Sequence, residues 1–77
     1  MEVEVKFFAG LRERFGQSAA TVNVAEGATV TDVWRQVSGE AALDGNLRAA
    51  VNFEYVEPQQ VVAAGDEVAF FPPVTGG

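Results

Sequence analysis

Val30, Val33, Trp34 and Val37 stand at i, i+3, i+4 and i+7, the spacing of one apolar stripe on an amphipathic helix. A single stripe of that kind needs a sheet face to lie on before it is buried. Thr29 is placed to cap the helix, with Asp32 three residues later as a shorter version of the capping-box acid. Gly39 ends it. The chain has 77 residues, which leaves room for one core and no second one. It contains no cysteine and no histidine. Disulfides, thiolate nucleophiles, zinc fingers, iron–sulfur sites, haem ligation through these residues and histidine-based triads are therefore excluded.

On either side of the helix the pattern changes to alternation. Over residues 2–8, Val3, Val5 and Phe7 share one strand face, and Glu2, Glu4 and Lys6 the other. Phe8 then has outward parity. Residues 9–15 place Leu11 and Phe15 at helical spacing from Phe8, and Gly16 follows, which predicts a short helical turn. Residues 20–24 alternate Ala20, Val22 and Val24 against Thr21 and Asn23, a second strand expected to pair antiparallel with the first. After the helix, 40–46 reads as a short helical or looped connection and 48–52 as a third strand. Residues 55–57 read as a short fourth strand, stopped by Pro58. Gly65-Asp66 opens the last strand, 67–71, with Val68 and Phe70 on one face and Ala69 and Phe71 on the other. This order predicts an α+β fold, with one main helix packed on one face of a small mixed sheet. If the strand after the crossover returns beside the first, the sheet is a β-grasp of the ubiquitin type.

Five Lys and Arg stand against 11 Asp and Glu, a formal net charge of −6. A phosphate-backbone binder needs the opposite sign, so no nucleic-acid partner is expected. A basic protein partner is favoured instead. No apolar run is long enough for a membrane span, and the alternating charged start is unlike a secretory leader. The expected location is the cytoplasm.

The end of the sequence carries the sharpest chemical suggestion. Pro72-Pro73 cannot continue a central strand, so 1–71 reads as the domain and 72–77 as an extended, flexible arm. At ~3.3 Å per residue the arm reaches about 20 Å. Gly76 and Gly77 have no side chains and can thread a slot too narrow for other residues. A terminal glycine carboxylate becomes an electrophile once converted to an acyl-adenylate. Sulfur then attacks it to give a thiocarboxylate, or an amine to give an amide. Such a carrier of sulfur needs no cysteine.

The run Gly65-Asp66-Glu67-Val68-Ala69-Phe70-Phe71-Pro72-Pro73-Val74-Thr75-Gly76-Gly77 resembles the C-terminal signature of the molybdopterin synthase small subunits. Val5-Lys6-Phe7-Phe8-Ala9-Gly10-Leu11-Arg12-Glu13 and Leu47-Arg48-Ala49-Ala50-Val51-Asn52 are also similar to that family. The resemblance implies a ubiquitin-like β-grasp. It implies a subunit that is not catalytic alone and donates sulfur within a heterotetrameric sulfurtransferase. An ATP-dependent adenylating enzyme would activate Gly77, a sulfur donor system would convert it to a thiocarboxylate, and the tail residues Val74, Thr75 and Gly76 would enter the large catalytic subunit. There sulfur would pass to cyclic pyranopterin monophosphate in molybdenum cofactor biosynthesis. No cofactor or metal is expected on the chain itself; ATP is used by the activating partner. The alternative is a ubiquitin-like protein modifier, or a sulfur carrier for thiamine synthesis or tRNA thiolation.

The aromatic residues point the same way. Each Phe-Phe pair puts one ring on each sheet face. Phe7 and Phe70 belong under the helix, which leaves Phe8 and Phe71 on the open face, joined by Tyr55, as a candidate partner-docking patch. The competing expectation is that the 9–15 helix covers them. Glu2 and Glu4 read as a solvated edge, Asp66-Glu67 as turn chemistry and Trp34 as core. Arg12, Arg14, Arg35 and Arg48 are too dispersed for a phosphate cradle.

Overall fold

The computed structural model describes residues 1–72, so Val74, Thr75, Gly76 and Gly77 and their predicted roles lie outside the described residues. The elements are β1 (Glu2–Phe7), α1 (Gly10–Phe15), β2 (Ala19–Asn23), α2 (Val30–Ser38), β3 (Arg48–Val51), β4 (Glu54–Val56) and β5 (Glu67–Phe71). They form one five-stranded sheet in the order β2-β1-β5-β3-β4. β1 and β5 run parallel, and every other neighbouring pair is antiparallel. This is the ubiquitin-like β-grasp. The strand that returns beside β1 is the last, β5, rather than β3, the first after the crossover. Burial explains the choice, because the central position goes to the strand with more apolar volume to cover. β5 buries Val68 and Phe70 completely, whereas β3 offers the core a buried Ala49 and a partly buried Val51.

The core lies between the sheet and α2. Val3, Val5 and Phe7 of β1, with Val68 and Phe70 of β5, meet Val30, Val33 and Trp34 of α2. An aromatic chain runs through it. Phe7 lies 4.7 Å from Phe15, Phe15 5.8 Å from Trp34, and Trp34 5.0 Å from Phe70, centroid to centroid. The short helix α1 is thus held to the core by Phe15 and by buried Leu11. Trp34 is fully buried, and its indole N–H has no acceptor among the described residues. That is a cost accepted for the apolar volume it supplies.

Local signals account for most boundaries. At α2, Thr29 Oγ1 accepts from the Asp32 N–H at 3.2 Å, and the Thr29 N–H donates to Asp32 Oδ2 at 2.9 Å, a complete capping box. Gly39 closes the helix at φ 76, the left-handed conformation that favours glycine. The next free helix donors, Val30 N–H and Thr31 N–H, reach the carbonyls of Gln60 at 2.9 Å and Pro58 at 3.0 Å. The loop after β4 is thereby tied to the helix start. Residues 40–47 form turns and no helix, organised by Asp44, which accepts from the N–H groups of Asn46 and Leu47. No helix among the described residues is long and apolar enough to cross a membrane.

Asp32 also sets a pH dependence. The backbone hydrogen bond from Thr29, then that residue's hydroxyl and the nearby Arg35, hold its carboxyl below the ordinary value of 3.8. A lowered folded value means that the stability this carboxylate contributes is present above pH 3.8 and is lost as pH falls through the folded value. Asp32→Asn is expected to be less stable than wild type near neutral pH, with the gap closing in acid. Urea midpoints of both proteins measured down the pH scale check this, and a gap that widens in acid contradicts it.

Candidate functional site: the open sheet face and the root of the tail

Strand parity divides the sheet cleanly. Helix α2 covers the face of Val3, Val5, Phe7, Val68 and Phe70. The opposite face carries Glu4 beside Glu67, Lys6 beside Ala69, Ala50 between Ala69 and Tyr55, and Arg48 beside Phe71. It is graded along the strands. The end where β1 and β5 begin is anionic, and the end where β5 delivers the chain to Pro72 is aromatic.

At that aromatic end the structure brings two of the three expected docking residues together. The rings of Tyr55 and Phe71 meet at 5.6 Å, tilted by 46°, across the intervening strand β3. Tyr55 is 79% exposed, and Phe71 is half-buried. A small residue helps this approach, since Ala50 is the β3 residue that faces Tyr55, while Arg48 faces Phe71. Phe8 lies on the other side of β5, with its N–H on the Phe70 carbonyl at 3.3 Å, and does not join that ring pair among the described residues. It is not covered by α1. That helix packs its Leu11 and Phe15 toward the core and leaves Phe8 50% exposed.

The position of Phe8 is set by a strained turn. Ala9 has φ 53 and ψ −129, and the Leu11 N–H reaches the Phe8 carbonyl at 3.2 Å. These values are those of a type II′ turn, which asks for glycine at this point. β1 therefore ends at Phe7, one residue earlier than the alternation suggests. A groove of about 890 Å³ adjoins the ring pair, lined among others by Leu43, Leu47, Arg48, Pro58, Tyr55 and Phe71. The Arg48 guanidinium at its edge donates to the carbonyls of Gly45 and Leu47. The 40–47 segment has no periodicity, so its share in this groove had no signal in the sequence.

The other candidates behave as structural residues. Glu4 accepts from the Thr21 hydroxyl at 2.9 Å, and Glu67 lies 3.9 Å from Lys6. Asp66 accepts from the Ala63 N–H at 2.7 Å and from the Asn52 amide at 3.0 Å, so it does serve the turn. Among the described residues no three carboxylates converge as metal ligands would. One prominent residue escaped the sequence reading: Phe53, 91% exposed at the β3–β4 turn. Its signal was a two-residue hairpin loop reading Asn-Phe where Asn-Gly is the favoured pair.

The ThiS family model matches residues 5–77, which takes in all of the chain from Val5 onward, both helices and every strand but the first three residues of β1. The chain belongs to the ThiS family. Among ThiS-family relatives, the molybdopterin synthase sulfur carrier subunit of Escherichia coli is 42% identical, with 97% of this chain and 99% of that one covered. The subunit of the same name from Chlamydomonas reinhardtii is 37% identical with 100% of both covered. In structure, SAMP1 from Haloferax volcanii superposes with a TM-score of 0.86 at 33% identity over 100% of both chains. In this ThiS-family fold Ala9→Gly is expected to raise stability by about 1 kcal/mol by relieving the turn at Phe8. Guanidinium midpoints of the two proteins check it, and a lower midpoint for the glycine variant contradicts it.

Proposed function

We propose that this protein is the sulfur-carrier subunit of a molybdopterin synthase and works through its C-terminal glycine. Full-length likeness to two sulfur carrier subunits, at 42% and 37% identity, carries the reading. The Tyr55–Phe71 ring pair on the open sheet face, at the root of the tail, supports it.

The proposed cycle has two stages. An ATP-dependent partner first joins the Gly77 carboxylate to AMP with loss of pyrophosphate. Sulfur from a donor system then displaces AMP and leaves a thiocarboxylate, a soft and ionised nucleophile. In the second stage the tail from Pro72 to Gly77 enters the large subunit. That subunit holds cyclic pyranopterin monophosphate and supplies the acid–base groups, and the sulfur passes to the pterin. This chain is a co-substrate with a docking face. Tyr55 and Phe71, with Phe8 across β5, seat the domain so that the tail lines up with the slot.

A second reading is favoured by the likeness to SAMP1. A modifier uses the same activated glycine with a lysine amine as the attacking group, so amide-linked conjugates in the host would mark it.

Deleting Gly77 is expected to abolish pterin synthesis in a reconstituted system while leaving the unfolding midpoint unchanged, because a terminal arm contributes few buried contacts. Normal synthesis by the deletion variant would refute the proposal. Phe71→Ala is expected to weaken binding to the large subunit by roughly 1–3 kcal/mol, the scale of an interface aromatic. Unchanged affinity by calorimetry removes Phe71 from the docking face.

A further inference from the structure

Phe53 occupies the second position of the two-residue loop that joins β3 to β4. Asn52 and Phe53 have φ values of 51 and 72, the pattern of a type I′ turn. Asparagine tolerates this conformation, whereas a bulky residue there is an outlier that costs roughly 1–2 kcal/mol. The ring recovers none of that cost by burial, since the residue is 91% exposed. Glycine would make the better turn. Folding therefore does not account for Phe53.

The turn that presents this ring is held firmly. The Asn52 N–H donates to the Glu67 carbonyl at 2.8 Å, and Asn52 Oδ1 accepts from the Glu67 N–H at 3.0 Å. The Asn52 amide donates to Asp66 Oδ1 at 3.0 Å, and Asp66 Oδ2 takes the Ala63 N–H. An exposed aromatic on a preorganised turn loses little freedom on binding. The neighbouring residues are acidic: Glu54 follows it in the chain, the Asp66 carboxylate accepts from the Asn52 amide, and Glu67 holds Asn52 through its backbone N–H and carbonyl. The cations near this end are engaged: Lys6 stands 3.9 Å from Glu67, and the Met1 ammonium donates to the Val24 carbonyl at 2.8 Å.

These surroundings select the occupant. Nucleic acid and anionic lipid are repelled by the carboxylates. A second copy, itself carrying −6, meets the same charge. What fits is an apolar pocket rimmed by lysine or arginine on a protein partner. The tip adjoins Glu67, and the tail leaves from Phe71 at the other end of β5, a separation of about 13 Å. An interface of ordinary size, about 800 Å² per partner or roughly 30 Å across, covers both.

We infer that Phe53 is a second anchor for the partner that receives the tail, inserted into a cation-rimmed apolar pocket on the large synthase subunit. This rests on the sulfur-carrier reading. The test is calorimetry of wild type, Phe53→Gly and Phe53→Tyr against the purified large subunit of the same organism, at low and high salt. Phe53→Gly is expected to melt at a higher temperature and yet bind about tenfold more weakly. Phe53→Tyr, which keeps the ring, should bind close to wild type, and wild-type affinity should fall with added salt. Wild-type affinity in Phe53→Gly, or no salt dependence, overturns the anchor. If thiocarboxylate still forms on Gly77 in that case, the anchor alone has failed. If wild type neither binds the large subunit nor gains sulfur, the carrier reading fails and the anchor with it.

Discussion

The parallel pairing of β1 with β5 is the constraint on which the rest of this molecule depends. Parallel neighbours cannot be joined by a tight turn, so the chain must cross over between them. The crossover holds α2, and α2 laid on the sheet buries the stripe ending at Trp34 and Val37. The same pairing puts the last strand in the middle of the sheet, hydrogen-bonded on both sides. The tail therefore starts from a well-supported position, beside Tyr55 and Arg48 on one flank and Phe8 on the other. A terminal strand at the sheet edge would give its tail no such surroundings.

From this arrangement follows the division of labour between the two sheet faces. Alternation sends Phe7 and Phe70 inward to Trp34 and Phe15, where they contribute to stability. It sends Phe8 and Phe71 outward, where folding gains little from them. Two dipeptides of identical composition thus supply the core and the candidate docking face. The open face also changes character along its length, from the carboxylates of Glu4 and Glu67 to the rings of Tyr55 and Phe71. A partner that covers it needs cationic groups at one end and apolar ones at the other.

Local patterns made much of this legible. The Thr29–Asp32 cap, the Gly39 stop, the β1 alternation and the outward parity of Phe8 and Phe71 each depend on residues a few positions apart. What stayed hidden is non-local or conformational. Which strand sits beside β1 depends on apolar volume buried by strands sixty residues apart, and alternation carries no such information. β3 ends at Val51 and β4 starts at Glu54 because Asn52 and Phe53 take positive φ, which an Asn-Phe pair does not advertise. The groove beside Tyr55 draws on Leu43 and Leu47, from a segment without period. The tail residues, which carry the proposed chemistry, lie outside the described residues, and their role rests on the sequence and on family likeness.

The physics shared by sulfur carriers and modifiers is the activation of a terminal glycine; the nucleophile that follows separates them. The most direct measurement is the intact mass of this protein after incubation with ATP, its adenylating partner and a sulfide source, with the modified peptide mapped. The account predicts a gain equal to one sulfur in place of one oxygen, confined to the peptide ending at Gly77. An unmodified chain, under conditions where the partner activates its proper substrate, would contradict it.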